Sequence, residues 1–138
     1  MKTVEIALTQ YGVNEKHDKE IHPQIVKYLE AIGCAKNDLK RNTSWSSAFV
    51  NWVVKNAGYE YSGKLDVRSW LSVGESIGSP SFGDIVVLSE NEQDHVGIFI
   101  KETKRYIYLI GGDQRNKVCI KAYAKSCILD FRKLKKIA

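Results

Sequence analysis

N-T-S-W-S-S-A-F-V-N-W-V-V-K-N-A-G, running from Asn42 to Gly58, decides how the rest of the chain is arranged. Thr43 and Ser44 are good helix N-cap residues, and Gly58 is a natural stop. Trp45, Ala48, Phe49 and Trp52 recur on one side of the expected helix. Val50, Val53, Val54 and Ala57 widen that side, leaving Ser47, Asn51 and Lys55 as a narrow polar stripe. A helix this apolar belongs at the centre of a domain. Ser46 interrupts the apolar face in the first turn, in line with Val50, Val53 and Ala57. A polar side chain there meets free backbone N–H groups at the positive end of the helix dipole. Two readings are open: a second capping residue, or the place where a nucleophile meets a carbonyl group.

Outward from this helix, 138 residues with 43% apolar content suffice for a single domain over 1–138 with its own core. No apolar run is long enough to cross a membrane, and the N-terminus lacks the apolar centre of a secretory signal. The expectation is a protein made in the cytoplasm without a signal peptide, which must be delivered if it works outside. Cys34, Cys119 and Cys127 are odd in number and lack C-x-x-C spacing, which argues against a disulfide framework and a metal site. The net charge of +5 is uneven. Residues 1–100 hold 10 Lys/Arg against 13 Asp/Glu, a net −3, and residues 101–138 hold 11 against 3, a net +8. A basic third suits an anionic polymer or an acidic partner, or is simply a solvated strand face. It carries no recognition helix or aromatic RNA-binding signature, so nucleic acid is not expected.

Along the chain, Thr3 to Tyr11 reads as a short helix stopped by Gly12. Asn14 to His22 reads as a polar loop, with His17 and His22 solvated. Pro23 opens a second helix carrying Ile25, Val26, Leu29 and Ile32, closed by Gly33. After the central helix and a loop from Tyr59 to Lys64, Asp66 is expected to cap a short helix over Val67 to Val73. Gly74 to Phe82 has no period and reads as loop. From Ile85 the residues turn β-rich. Strands are expected at Ile85–Leu88, His95–Ile100, Arg105–Ile110, Val118–Tyr123 and Ile128–Phe131, with Gly111-Gly112 breaking the third and Val118, Ile120 and Ala122 sharing a side. Helices first, then strands joined by short turns, is an α+β pattern with an antiparallel sheet.

Three side chains can then be placed together. His95 opens a strand after a charged turn, where an imidazole is held rigidly yet meets solvent. Asp113 follows the next strand, and a short turn brings that end back towards His95, where a carboxylate would fix the ring tautomer. Each also has a plain reading, as a strand-end histidine and as a Gly-Gly-Asp turn residue. With Ser46 they give a nucleophile position at a buried helix start, a base at a strand start and an acid nearby. That is the order of parts in papain-like cysteine hydrolases.

The chain also resembles the cell-wall amidohydrolases and peptidases of the NlpC and CHAP type, in a compact bacterial and phage subgroup. The motifs in question are Gln10-Tyr11-Gly12-Val13-Asn14-Glu15, Pro23-Gln24-Ile25-Val26-Lys27-Tyr28, Trp45-Ser46-Ser47-Ala48-Phe49-Val50-Asn51-Trp52, Val67-Arg68-Ser69-Trp70-Leu71, Gly83-Asp84-Ile85-Val86-Val87, His95-Val96-Gly97 and Gly111-Gly112-Asp113-Gln114. They follow one another over nearly the whole chain. The sequence departs from the family pattern twice: Ser46 stands where the family has its nucleophilic cysteine, and Asp113 where it has asparagine.

The resemblance implies a papain-like fold, N-terminal helices on an antiparallel sheet, and no cofactor. It implies amide hydrolysis in peptidoglycan stem peptides or cross-bridges through an acyl-enzyme. Residue 46 would attack, His95 would take and return the proton, and Asp113 would hold His95. The backbone N–H of residue 46 would face the oxyanion, with Gln10 and Tyr11 as weak candidates for a second donor. Trp45 and Gln114 would line the groove, Trp52 and Trp70 would be core, and Asp84 would cap its turn. A cysteine enzyme silenced by serine, a binding-only relative and a serine hydrolase all remain open. Delivery by phage lysis or a secretion system, and an inhibitory or immunity protein over the groove, fit the same resemblance.

Overall fold

The computed structural model describes residues 2–17, 20–40 and 43–137. Asn42, the expected start of the central helix, and the side chain of His17 lie outside the described residues. The first half holds α1 (Lys2–Leu8), a small ladder of β1 (Lys16–His17) and β2 (Glu20–Ile21), α2 (Pro23–Glu30) and α3 (Ser46–Ala57). The second half holds β3 (Glu75–Ile77), β4 (Ile85–Glu90), β5 (Gln93–Glu102), β6 (Tyr106–Gln114), β7 (Lys117–Ala124) and β8 (Ile128–Lys133). These six strands form one antiparallel sheet in the order β3-β8-β4-β5-β6-β7. The mixed α/β class and the antiparallel sheet expected from the sequence are therefore present.

α3 begins at Ser46, with Trp45 at the N-cap and no capping bond from its side chain. Ser44 acts from one residue further back: its Oγ accepts the Ser46 N–H at 3.1 Å. Gly58 ends the helix in the left-handed region at φ 87°, as expected of a C-terminal glycine. The polar stripe is largely buried. Ser47 and Asn51 are fully buried, and only Lys55 is exposed. Trp70 Nε1–H donates to Ser47 Oγ at 2.9 Å, Ser47 Oγ donates to the Lys64 carbonyl at 2.7 Å, and Gly63 N–H donates to Asn51 Oδ1 at 2.8 Å. The stripe thus docks the Tyr59–Lys64 loop and the 3-10 turn Val67–Ser72 onto α3. The polar groups are buried because each has a partner.

Two apolar clusters lie on opposite faces of the sheet. On one face α1, α2, α3 and Trp70 pack against Ile85, Val87, Val96, Ile98, Ile110 and Val118. On the other, Val86, Leu88, Phe99, Ile107, Leu109 and Tyr123 form a smaller cluster with Phe131 and Ile128. Ile85 to Leu88 are all fully buried because β4 is covered on both faces, which explains its unbroken apolar run. Each such side chain contributes about 1.5–3 kcal/mol relative to exposure.

Several local expectations are corrected. The Gly74–Phe82 segment contains strand β3, paired to β8 with Glu75 opposite Lys133. Its three residues are too few for a side-chain period, and Arg132 anchors the approach by donating to the Val73 and Gly74 carbonyls at 2.9 and 3.0 Å. Gly111-Gly112 do not break β6, which runs through them with a register shift before Gln114. A Cβ on Gly112 would lie 2.7 Å from both Phe49 Cβ and Trp45 Cζ3, so α3 rests directly on the strand backbone. Only Val118 of the Val118–Ile120–Ala122 side joins the helix-side cluster, and Ile120 is 40% exposed. His22 is not a loose loop residue, because its Nδ1 accepts the Gln24 N–H at the start of α2. Val67–Ser72 is a 3-10 turn, and Asp66 gives it no side-chain cap. Asp84 does hold its turn, accepting the Ser81 N–H at 2.7 Å. Among the basic residues near the C-terminus, Lys121, Lys125, Arg132 and Lys133 pair with Glu90, Glu102, Asp130 and Asp84.

Candidate active site

The segment entering α3, the turn joining β4 to β5 and the end of β6 enclose a cavity of about 500 Å³. Thr43, Ser44, His95, Asp113, Arg115 and Tyr123 are among its walls. A second hollow continues from it past Thr43 and Ser44 to Asp66 and Val67, so the two make one groove.

His95 stands opposite Leu88 in the β4–β5 ladder, which puts it on the sheet face of the smaller cluster. Its ring stacks on Tyr123 with centroids 5.3 Å apart. Its Nε2 lies 2.9 Å from Gln114 Oε1. The Gln114 amide has one consistent orientation, because its nitrogen donates to the Cys119 and Leu109 carbonyls at 2.6 and 3.3 Å. The oxygen, turned the other way, also accepts the Tyr123 hydroxyl at 3.1 Å. An amide oxygen only accepts, so His95 Nε2 carries the hydrogen and Nδ1 carries the lone pair. Burial, against the pull of the Gln114 hydrogen bond and Glu90 and aided by Lys121, brings the His95 pKa down to about 4. The ring is neutral near neutral pH and offers one defined basic nitrogen.

Asp113 does not hold His95. Its backbone sits in the left-handed region at φ 57°, within the β6 register shift. Its Oδ2 accepts the Trp45 N–H at 3.4 Å, so the carboxylate faces the start of α3. The neighbouring residue Gln114 takes the place beside the imidazole. Gly111 backs onto Gln114 and His95 while Gly112 backs onto Trp45 and Phe49, so this short segment touches both faces of the sheet. Burial and the nearby Glu15 carboxylate, opposed by the Trp45 N–H and Ser44, raise the Asp113 pKa to about 6.

Trp45 and Gln114 do not line the groove. Trp45 is fully buried, and its indole N–H donates to Glu15 Oε1 at 3.0 Å. Gln114 is 1% exposed and acts through His95. Ser46 is also fully buried and is absent from the cavity wall. Ser44 forms the wall in its place, with its Oγ 3.0 Å from Ser46 Oγ. Gln10 accepts the Tyr28 hydroxyl at 2.6 Å, a packing role, and Tyr11 is 58% exposed. None of the three cysteines stands at a helix start, and Cys119 Sγ donates to the Gln114 carbonyl at 3.4 Å. Ser44, Gln114 and Tyr123 are the site residues that sequence reasoning missed or misassigned. The one sequence signal for Ser44 was its suitability as a helix N-cap. Tyr123 had none, because it reaches the ring from β7 across the intervening strand β6.

The two shifted groups act oppositely on stability. His95 binds its proton at about pH 6.5 when unfolded and about pH 4 when folded. Its contribution is present above the unfolded value and is lost as pH falls towards 4. Asp113 titrates near 3.8 when unfolded and about 6 when folded, so its contribution is present below 3.8 and is lost as pH rises through 6. Asp113→Asn keeps an acceptor for the Trp45 N–H and removes the second effect. It should therefore steepen the loss of stability between pH 6 and pH 4, measured as thermal midpoints across that range. Parallel profiles for the two proteins would refute the assignment.

Among the described residues no helix is long and apolar enough to cross a membrane, and no group of three His, Cys, Asp or Glu could hold a metal ion. No protein-family model matches the chain, and no curated protein matches it.

Proposed function

We propose that the chain is a papain-like peptidoglycan amide hydrolase of the cysteine type, inactive as it stands because Ser46 occupies the nucleophile position. The observation that carries this reading is His95: a neutral ring on the groove wall, tied at Nε2, with its basic Nδ1 left over. A thiol at position 46 would pass its proton to that nitrogen as sulfur attacks an amide carbonyl. The imidazolium would return the proton to the leaving amine, and water would release the acyl group by the reverse sequence. Gln114, rather than Asp113, fills the orienting role. The helix start lowers a thiol pKa into the useful range, but a serine hydroxyl lies far above it. The motif order shared with the NlpC and CHAP enzymes supplies the substrate class, stem-peptide or cross-bridge amides. Delivery by phage lysis or a secretion system, and an inhibitory protein seated in the groove, belong to the same reading.

A second reading is a wall-binding module that uses the groove without chemistry. The burial of Ser46 behind Ser44 favours it. Sedimentation with purified insoluble peptidoglycan tests both. The chain should pellet with the wall and release no fragments, and Ser46→Cys should pellet and release them. Binding by both proteins with fragments from neither leaves only the module; binding by neither removes both readings.

A further inference from the structure

The backbone N–H of Ser46 is the first of the α3 amides without an acceptor inside the helix, so it is the natural donor to a carbonyl oxygen under attack. That N–H is already engaged. Ser44 Oγ accepts it at 3.1 Å and lies 3.0 Å from Ser46 Oγ. Ser44 faces the cavity, whereas Ser46 has no exposed surface and is absent from the cavity wall. One small hydroxyl on the cavity wall therefore touches both groups at position 46 that a substrate would need.

We propose that Ser44 is a gate: its Oγ fills the seat of the substrate carbonyl oxygen in the free protein and must rotate away before residue 46 can be reached. This rests on the reading of residue 46 as the attacking position. A carbonyl oxygen entering the seat takes over the Ser46 N–H, so the helix terminus keeps an acceptor throughout. The exchange is a turn about the Ser44 side chain among its three staggered positions, which also releases its contacts to Ser46 Oγ and the Asp113 carboxylate. The gate also separates substrates from bystanders. Water or a small solute gains little by displacing Ser44, while a bound peptide can hold its carbonyl against the amide.

The test uses the full chain carrying Ser46→Cys, alone and with Ser44→Ala, Ser44→Gly or Ser44→Thr. Alkylation of the thiol at position 46 by iodoacetamide is followed by peptide mass spectrometry, with Cys34 as the internal reference. The limiting rate at high pH, where the thiol is fully ionised, reads access alone. Ser44→Ala and Ser44→Gly should each raise that rate about tenfold or more while Cys34 is unchanged, and Ser44→Thr should not. Thermal unfolding of each variant checks that the fold is kept, and two opening variants guard against one failing to fold. Equal or slower alkylation in the folded opening variants would overturn the gate. This readout is independent of wall cleavage. Faster alkylation without lytic activity would keep the gate and remove the hydrolase.

Discussion

Replacing Ser46 with cysteine is expected to turn an inert protein into a wall hydrolase, with a gain of about 10⁴–10⁶-fold in fragment release, the scale lost when a hydrolase nucleophile is removed. The size of the effect follows from the chemistry of one atom. The hydroxyl of a serine stays protonated at the start of a helix, and a neutral imidazole with a pKa of about 4 is a weak base for it. A thiol is several units more acidic and is lowered further by the helix terminus and its free N–H groups. Sulfur also occupies nearly the same place, so the buried setting at the start of α3 is kept. His95→Ala in the same background should return release to the level of the serine protein. If the cysteine protein stays inert while folded, the hydrolase reading fails. If it is active and His95→Ala leaves it so, the base has been misassigned.

Gln114→Leu should damage both stability and activity. Gln114 is 1% exposed and serves four groups: His95 Nε2, the Tyr123 hydroxyl and the Leu109 and Cys119 carbonyls. Leucine fills a similar volume and partners none of them. Leaving buried donors and acceptors unpaired costs about 1–3 kcal/mol each, so a loss of roughly 3–5 kcal/mol is expected after partial rearrangement. In the Ser46→Cys background the surviving folded protein should also lose about 10²–10⁴-fold in rate, because either nitrogen of the ring can then carry the hydrogen. Tyr123→Phe is the control. It removes one of the two donors to Gln114 Oε1 and leaves the ring stacked, so its effect should stay near 1 kcal/mol. Chemical denaturation measures the first quantity and fragment release the second. Equal effects of the two substitutions would show that Gln114 does not set the ring.

The sequence was informative wherever a side-chain pattern dictates backbone. Trp45, Phe49, Val50 and Val53 place α3 against the sheet, and Ile85 to Leu88 announce a doubly covered strand. It was silent or misleading where backbone geometry decides. Gly111-Gly112 looks like a break, yet its missing side chains let α3 rest on a continuous β6. The strand β3 is held by backbone pairing and by Arg132, neither of which leaves a period. In the site, the location of His95 was readable because it opens a β-rich run after a charged turn. The identity of its partner was not. Asp113 and Gln114 are adjacent, and a local shift with Asp113 at positive φ decides which of them meets the ring. Ser47 and Asn51 show the same limit: their helical spacing marks a polar stripe, but the partners in the 62–70 segment that bury it leave no local signal.

The measurement that bears most directly on the function is mass spectrometry of the soluble products from purified peptidoglycan treated with the Ser46→Cys protein. The expected products carry one new amino and one new carboxyl end at a stem-peptide or cross-bridge amide, and they vanish with His95→Ala. Products cut in the glycan strand, or no products from a folded protein that binds the wall, would contradict it.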